Sequence, residues 1–212
     1  AAPRGPPYEL RPVSVLPAGR DAARVAALLP AAFSLSQRAG AAAAVAAGVR
    51  RRLSRRARGV DHPTVQQIVP RIHRRLITYG FGAQATLRAD QIRQNGIETA
   101  FRLHRKDQYL GDIQLNMPGK HNIQNALAAA AVSLELGISF EKIQAALHGF
   151  TGVDRRFSVR AQGKLSSEDV LDIIVIDDYG HHPVEIQSTL QGASSAWPER
   201  RIIAVFQPHR YT

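Results

Sequence analysis

The chain has 212 residues, enough for one large domain or for parts of two, and it contains no cysteine, which excludes a disulfide scaffold or a thiolate metal site and fits a reducing compartment. No apolar run approaches the roughly 18 residues that cross a bilayer, and we expect no secretion signal in the Ala-rich stretch at 39–49. The net charge of +11 is typical of proteins that bind nucleic acid or acidic membranes.

Most of this charge belongs to the first 60 residues. Residues 1–60 hold 11 Arg and two acids, a net charge of +9, whereas residues 61–212 carry only +2. The segment also holds 17 Ala and 6 Pro but no Ile, Lys or Asn. Three interpretations stay open: a basic amphipathic helix that meets RNA or lipid, a low-complexity disordered stretch, or a misread, frame-shifted part of a GC-rich coding sequence. Because the rest of the chain is nearly neutral, we expect neither nucleic-acid binding nor membrane insertion.

From Asp61 onward the pattern predicts a short helix followed by strands. Asp61 or His62 would cap the helix, and Pro63 suits its first turn. RLITYGFG predicts a strand, and Asn95-Gly96 predicts a hairpin turn between the next two strands. A further strand ends at Pro118-Gly119.

Two consecutive helices are predicted next, over Asn122–Leu136 and Phe140–Leu147. Their apolar residues recur at helical spacing. Gly137 supplies the C′ position after the first helix, and Ser139 caps the second.

The last part of the chain predicts a βαβ unit. A strand over 170–176 leads to a helix from Pro183 and then to a strand over 201–206. The two strands of such a unit are parallel, so their carboxyl ends meet at one edge of the sheet, where ligands bind in open α/β sheets. We expect the boundary before this unit between Val159 and Gly163.

Polar clusters follow both predicted strands. The residues are Asp177, Asp178, Tyr179, His181 and His182 after the first, and His209 and Arg210 after the second. Carboxylates suit ribose hydroxyls, and histidines with an arginine suit an anionic or carbonyl-bearing substrate. Adjacent histidines point in divergent directions, so we predict no metal site here.

Two further motifs contain candidate binding residues. His121 and Asn125 share one face of the first predicted long helix, and an Asn amide can pair with an adenine edge. The alternative is that Asn122 caps this helix and Asn125 is polar surface. Arg156, in the motif GVDRRF, could hold a phosphate or could belong to a solvated basic turn.

Five motifs occur in an order and spacing that resemble the Mur ligase family. They are YGFG at 79–82, MPGKHNIQNALAAAAVSLELGI at 117–138, FTGVDRRF at 150–157, IDDYGHHPVEI at 176–186 and VFQPHRYT at 205–212. The resemblance implies an α/β fold: residues 61–160 as the distal part of an ATP-binding central domain, and residues 161–212 as the start of a Rossmann-like C-terminal domain. Residues 1–60 stay an atypical segment.

The resemblance also implies a cytoplasmic, ATP-dependent ligase of peptidoglycan precursor synthesis. The motifs are most similar to members that join L-alanine to UDP-N-acetylmuramate, and a murein-peptide recycling ligase is the alternative. By this resemblance His121 and Asn125 contact adenine, Asp178 contacts ribose, and Arg156 is the catalytic group at the γ-phosphate. The amino-acid and acyl-phosphate end would be formed by Tyr179, His181, His209 and Arg210.

The sequence departs from this family in its phosphate-binding and metal-binding motifs. Such ligases bind the phosphates of ATP and Mg²⁺ with a Gly-rich phosphate loop, and no G-x-x-x-x-G-K-[ST] motif or shorter equivalent occurs here. The acidic metal ligands expected upstream are also not found. The sequence therefore predicts a fragment that is inactive alone.

Overall fold

The computed structural model describes residues 56–61, 63–71, 76–164 and 172–207. They form an α/β fold, as expected, with a five-stranded sheet and a two-stranded sheet. The strands are β1 Arg56–Gly59, β2 Leu76–Gly80, β3 Leu87–Asn95, β4 Glu98–Arg105, β5 Gln108–Leu115, β6 Ser158–Lys164 and β7 Asp172–Asp177. The helices are α1 Pro63–Ile68, α2 Lys120–Glu135, α3 Phe140–His148 and α4 Pro183–Ala196, and a 3₁₀ turn, Val69–Arg71, follows α1.

The larger sheet has the order β1-β2-β3-β4-β5, with parallel pairs at its start and an antiparallel meander at its end. The predicted hairpin turn is present, but it lies one residue later than expected. Asn95 pairs with Glu98, so Gly96 and Ile97 form the two-residue loop. Gly96 has φ of 56°, and glycine is favoured at the first loop position because other residues resist that conformation.

Helix α2 forms the centre of the core against this sheet. Leu127, Ala129 and Ala131 of this helix are fully buried. The small alanine side chains let the helix approach the strands closely. The predicted role of Gly137 at the C′ position of this helix is confirmed, because Gly137 has φ of 75°. Its N–H donates to the Leu134 carbonyl, and the Ile138 N–H donates to the Ser133 carbonyl. This is the Schellman arrangement, with Ile138 buried beyond it.

Asp61, one of the two predicted cap residues, has tertiary partners, and the other, His62, lies outside the described residues. Its Oδ1 accepts the backbone N–H of Phe81 at 2.9 Å, and its Oδ2 accepts the Gln124 side-chain amide at 2.8 Å. The carboxylate therefore joins the end of β2 to α2. Helix α1 begins at Pro63, as predicted.

The predicted parallel βαβ unit is not formed within the described residues. Strand β7 and helix α4 are present, but residues 201–207 adopt no regular secondary structure, so the strand predicted over 201–206 is wrong. β7 instead pairs antiparallel with β6. Val205 is 96% exposed and Ile203 is 73% exposed. No described strand pairs with this segment, and a strand forms only when its backbone N–H and C=O groups find such a partner.

Two boundaries can be compared with the sequence. Residues 159–163 lie inside β6, and the division of the chain near residue 160 stays a prediction. At the other end, residues 56–59 form β1, which pairs with β2, and Val60 is buried. The sheet therefore extends into the last five residues of the segment interpreted as atypical. The interpretations of residues 1–55 lie outside the described residues.

Candidate active site

A strained turn carries Arg156. Its neighbours Arg155 and Phe157 have φ of 56° and 50°, a left-handed conformation that is costly for residues with a side chain. Two hydrogen bonds hold this turn against the loop after β7. The Asp178 carboxylate accepts the Phe157 N–H at 2.9 Å, and the Tyr179 N–H donates to the Arg155 carbonyl at 2.8 Å.

The loop after β7 runs into α4 through a capped helix start. Pro183 occupies the first helical position, as predicted, and His182 is the N-cap, with Nδ1 accepting the Val184 N–H at 3.3 Å. The Glu185 carboxylate accepts the N–H groups of His181 and His182 at 3.0 and 3.3 Å. These contacts fix the path of the loop relative to the helix.

Helix α2 presents His121 and Asn125 from its first turns. Gly119 is the N-cap with φ of 97°, so Asn122 does not cap the helix. The Asn122 amide instead donates to the Pro118 carbonyl at 2.7 Å. Asn125 is 1% exposed, which excludes the polar-surface alternative, and its Oδ1 accepts no hydrogen bond from the described residues.

His121 lies within electrostatic range of two other candidates. Burial lowers the pKa of its imidazole to about 4; the Asp178 charge opposes this shift and the Arg156 charge adds to it. The ring is therefore neutral near pH 7, with one nitrogen that donates and one that accepts. His121, Arg156 and Asp178 are thus brought together from three separate segments.

Tyr179 and His181 lie on the exposed side of this cluster. The Tyr179 ring is stacked under the Arg155 guanidinium, with 5.1 Å from Cζ to the ring centroid, and meets the His181 ring edge-on at 5.6 Å. His209 and Arg210, predicted for the same substrate end, lie outside the described residues.

Sequence reasoning missed Glu185 as a member of this site. It is 2% exposed, and its Oε1 lies 3.8 Å from Nη1 of Arg156. In the sequence, an acid three residues after the N-cap residue His182 indicates only a capping box. Its contact with Arg156 joins segments far apart in sequence, so no local pattern could have revealed it.

Phe157 also connects this turn to α4. Its ring stacks on Trp197, with centroids 6.3 Å apart and planes inclined by 10°. Gly192 leaves room for this ring, because a Cβ there would lie 3.3 Å from it.

A cavity of about 630 Å³ lies beside the site. It is bounded by β7, α4 and residues 200–206, and its walls are mainly aliphatic. Asp178 and Gly180 reach its edge, so the charged cluster and the cavity share one border.

Within the described part of the chain, no group of three or more His, Asp or Glu residues could hold a metal ion. In the same residues, every helix is too short or too polar to cross a membrane.

Two family models match the chain. The Mur ligase middle domain matches residues 59–133, and the Mur ligase, glutamate ligase domain, matches residues 155–211. The UDP-N-acetylmuramate–L-alanine ligase of Pelobacter propionicus is 48% identical over 153 residues, which are 72% of this chain and 32% of the relative. The ligase of the same name from Geotalea daltonii is 50% identical over 153 residues, with the same coverage.

Solved structures give the same relationship. The UDP-N-acetylmuramate–alanine ligase of Thermotoga maritima is 34% identical, with a TM-score of 0.56 over 63% of this chain and 30% of that chain. The folylpolyglutamate synthetase of Lactobacillus casei is 12% identical and shares the fold, with a TM-score of 0.52 over 68% of this chain and 35% of that chain. The chain spans about a third of the length of the curated relatives it matches. The two family models match in the same order along the chain as the five motifs. The chain therefore belongs to the Mur ligase family.

Proposed function

We propose that the chain carries the distal part of the central domain and the first part of the C-terminal domain of a cytoplasmic ligase that joins L-alanine to UDP-N-acetylmuramate. The division into residues 61–160 and 161–212 is part of this proposal. Identities of 48% and 50% to two ligases of that name support it. The observation that carries it is the 2.9 Å hydrogen bond that joins the Arg156 turn to Asp178, with both charges acting on His121 of the other matched region.

The adenosine part of ATP would bind His121, Asn125 and Asp178. The Oδ1 of Asn125 is a buried acceptor to which no described residue donates, and the exocyclic amino group of adenine would supply a donor. The neutral His121 ring can approach a base without the cost of burying a charge. Asp178 accepts two backbone N–H groups, and a carboxylate has capacity left for ribose hydroxyls.

Arg156 would act on the phosphates. In this proposal the γ-phosphoryl group passes to the muramate carboxylate, and the amino group of L-alanine then attacks the acyl phosphate and releases phosphate. A guanidinium held at the transferring group offsets the charge that develops on its oxygens. Tyr179, His181, His209 and Arg210 would bind the amino-acid end.

Mg²⁺ would neutralise phosphate charge in such a ligase, and the described residues hold no cluster of three or more His, Asp or Glu residues for it. The groups that this chain contributes are those that bind adenosine, orient the phosphates and position the amino acid.

The adenine assignment can be tested by calorimetric titration of the 212-residue chain with ATP and GTP. We expect weak binding of ATP, weaker binding of GTP, and loss of the difference in Asn125→Ala. Asn116→Ala is the matched control, because the Asn116 amide donates to the His148 carbonyl at the exposed end of α3 and not to a proposed adenosine-binding residue. Thermal melting of each variant checks that it is folded. Equal binding of ATP and GTP by the unmodified chain would contradict the assignment.

A further inference from the structure

Glu185 is a buried charge to which the reaction outlined above gives no part. It is 2% exposed, and a carboxylate is rarely buried so fully unless other groups compensate it. Its two oxygens meet different partners. Oε2 accepts the backbone N–H groups of His181 and His182, and Oε1 faces the Arg156 guanidinium at 3.8 Å.

The backbone and the side chain of Arg156 are held separately. The hydrogen bond from Phe157 to Asp178 fixes the strained turn and therefore the position of the Arg156 backbone. That bond fixes the backbone of the turn and makes no contact with the Arg156 guanidinium. Glu185 supplies a charged contact at the far end of this side chain, on a helix terminus that is itself capped.

We propose that Glu185 is a positioning residue for Arg156: it holds the guanidinium toward the phosphates before ATP arrives. This inference rests on the proposed function, in which Arg156 contacts the transferring phosphoryl group. An arginine has five N–H donors in a planar fork, so a guanidinium can meet a carboxylate and phosphate oxygens with different edges. Ordering the side chain in advance removes an entropic cost from ATP binding.

The first test needs no nucleotide. In the ¹⁵N-labelled chain, the heteronuclear NOE of the Arg156 Nε–Hε group measures the order of its side chain. We expect a high value in the unmodified chain and a clearly lower value in Glu185→Gln. The amide keeps the size of the carboxyl group and can still accept the two backbone N–H groups. Glu141→Gln is the control, because Glu141 is an exposed acid in the first turn of α3. An unchanged Arg156 NOE in Glu185→Gln overturns the proposal.

The second test compares ATP with adenosine. We expect Glu185→Gln to weaken ATP binding about three- to tenfold, the factor for ordering one long side chain, and to leave adenosine binding unchanged. Removal of a negative charge alone would act in the opposite direction and strengthen ATP binding. Tighter or unaltered ATP binding would therefore show that Glu185 does not position Arg156.

A double variant separates this role from a purely structural one. If Glu185 acts through Arg156, Glu185→Gln has no further effect on ATP binding in an Arg156→Ala background. A helix-capping role alone would give the same loss in both backgrounds and would overturn the proposal. If the unmodified chain binds no ATP, the proposed function fails, and the NOE of Arg156 still decides whether Glu185 holds its side chain.

Discussion

Asp178 accepts the backbone N–H of Phe157 through Oδ2 at 2.9 Å, and this bond joins the loop after β7 to the turn that carries Arg156. Its Oδ1 accepts the Gly180 N–H at 2.7 Å. We predict that Asp178→Ala lowers the free energy of unfolding by about 2–3 kcal/mol, because two partly buried N–H groups lose a charged acceptor. Urea unfolding measures this change.

Asp154→Ala is the matched control for that substitution. Asp154 lies in the same turn, but its side chain is 77% exposed and it pairs with Arg160 at the surface. Exposed pairs of this kind contribute at most about 1 kcal/mol. Equal losses in Asp178→Ala and Asp154→Ala would contradict the role given to the Asp178 hydrogen bonds.

A second prediction concerns the glycine at the start of α2. Gly119→Ala should destabilise the chain by about 2–3 kcal/mol, because φ is 97° and a Cβ would lie 2.8 Å from Cε1 of His121. Gly137→Ala should cost only about 1 kcal/mol, since φ is 75° there but a Cβ would meet nothing within 4 Å. The Cε1–H resonance of His121 should shift in Gly119→Ala alone. An unchanged His121 resonance in Gly119→Ala would show that the imidazole does not need the space left by the missing Cβ of Gly119.

The third prediction is a pH dependence of stability. The pKa of His121 is lowered to about 4 by burial, so between about pH 6.5 and pH 4 the unfolded chain binds the proton more readily than the folded chain. The His121 contribution is therefore complete above about pH 6.5 and is lost as the pH falls toward 4. The loss is at most about 3.5 kcal/mol, since one pKa unit is worth about 1.4 kcal/mol. Urea unfolding at pH 7.5 and 4.5 measures it.

His121→Gln should remove this part of the pH dependence. His148→Gln, at the exposed end of α3, should leave it as in the unmodified chain. If His121→Gln and the unmodified chain lose the same stability between the two pH values, the imidazole of His121 is not the group responsible.

The fourth prediction concerns activity. The 212-residue chain alone should release no phosphate from ATP in the presence of Mg²⁺, UDP-N-acetylmuramate and L-alanine, because its sequence has no phosphate loop to orient the transferring group. A coupled phosphate-release assay measures this, with a full-length ligase as the positive control. Turnover by the chain that disappears in Arg156→Ala would show that the phosphate loop is dispensable.

Much of the larger sheet and its helices could be predicted from the sequence, because local patterns determine them. Helices α2 and α3 follow from apolar spacing and from Gly137, and they begin and end within two residues of the predicted bounds. The strand over 201–206 was wrong for a physical reason. Its residues have strand propensity, but a strand also needs a hydrogen-bonded neighbour, and propensity does not supply one.

The candidate site was partly visible in the sequence. Arg156 and Asp178 were selected as ligand-binding groups, yet Asp178 also holds the turn that carries Arg156. Asp61 was interpreted as a local cap, and its partners are Phe81 and Gln124. In each case a polar residue near a loop has a tertiary partner that short-range rules do not include.

The antiparallel meander β3-β4-β5 has a consequence for the order of folding. Its strands are joined by loops of two residues, so their contacts close with little loss of chain entropy, and we expect them to form early. The cluster of His121, Arg156 and Asp178 unites three distant segments and should assemble last. A partly folded intermediate would then contain an intact meander while its nucleotide-binding groups were still apart.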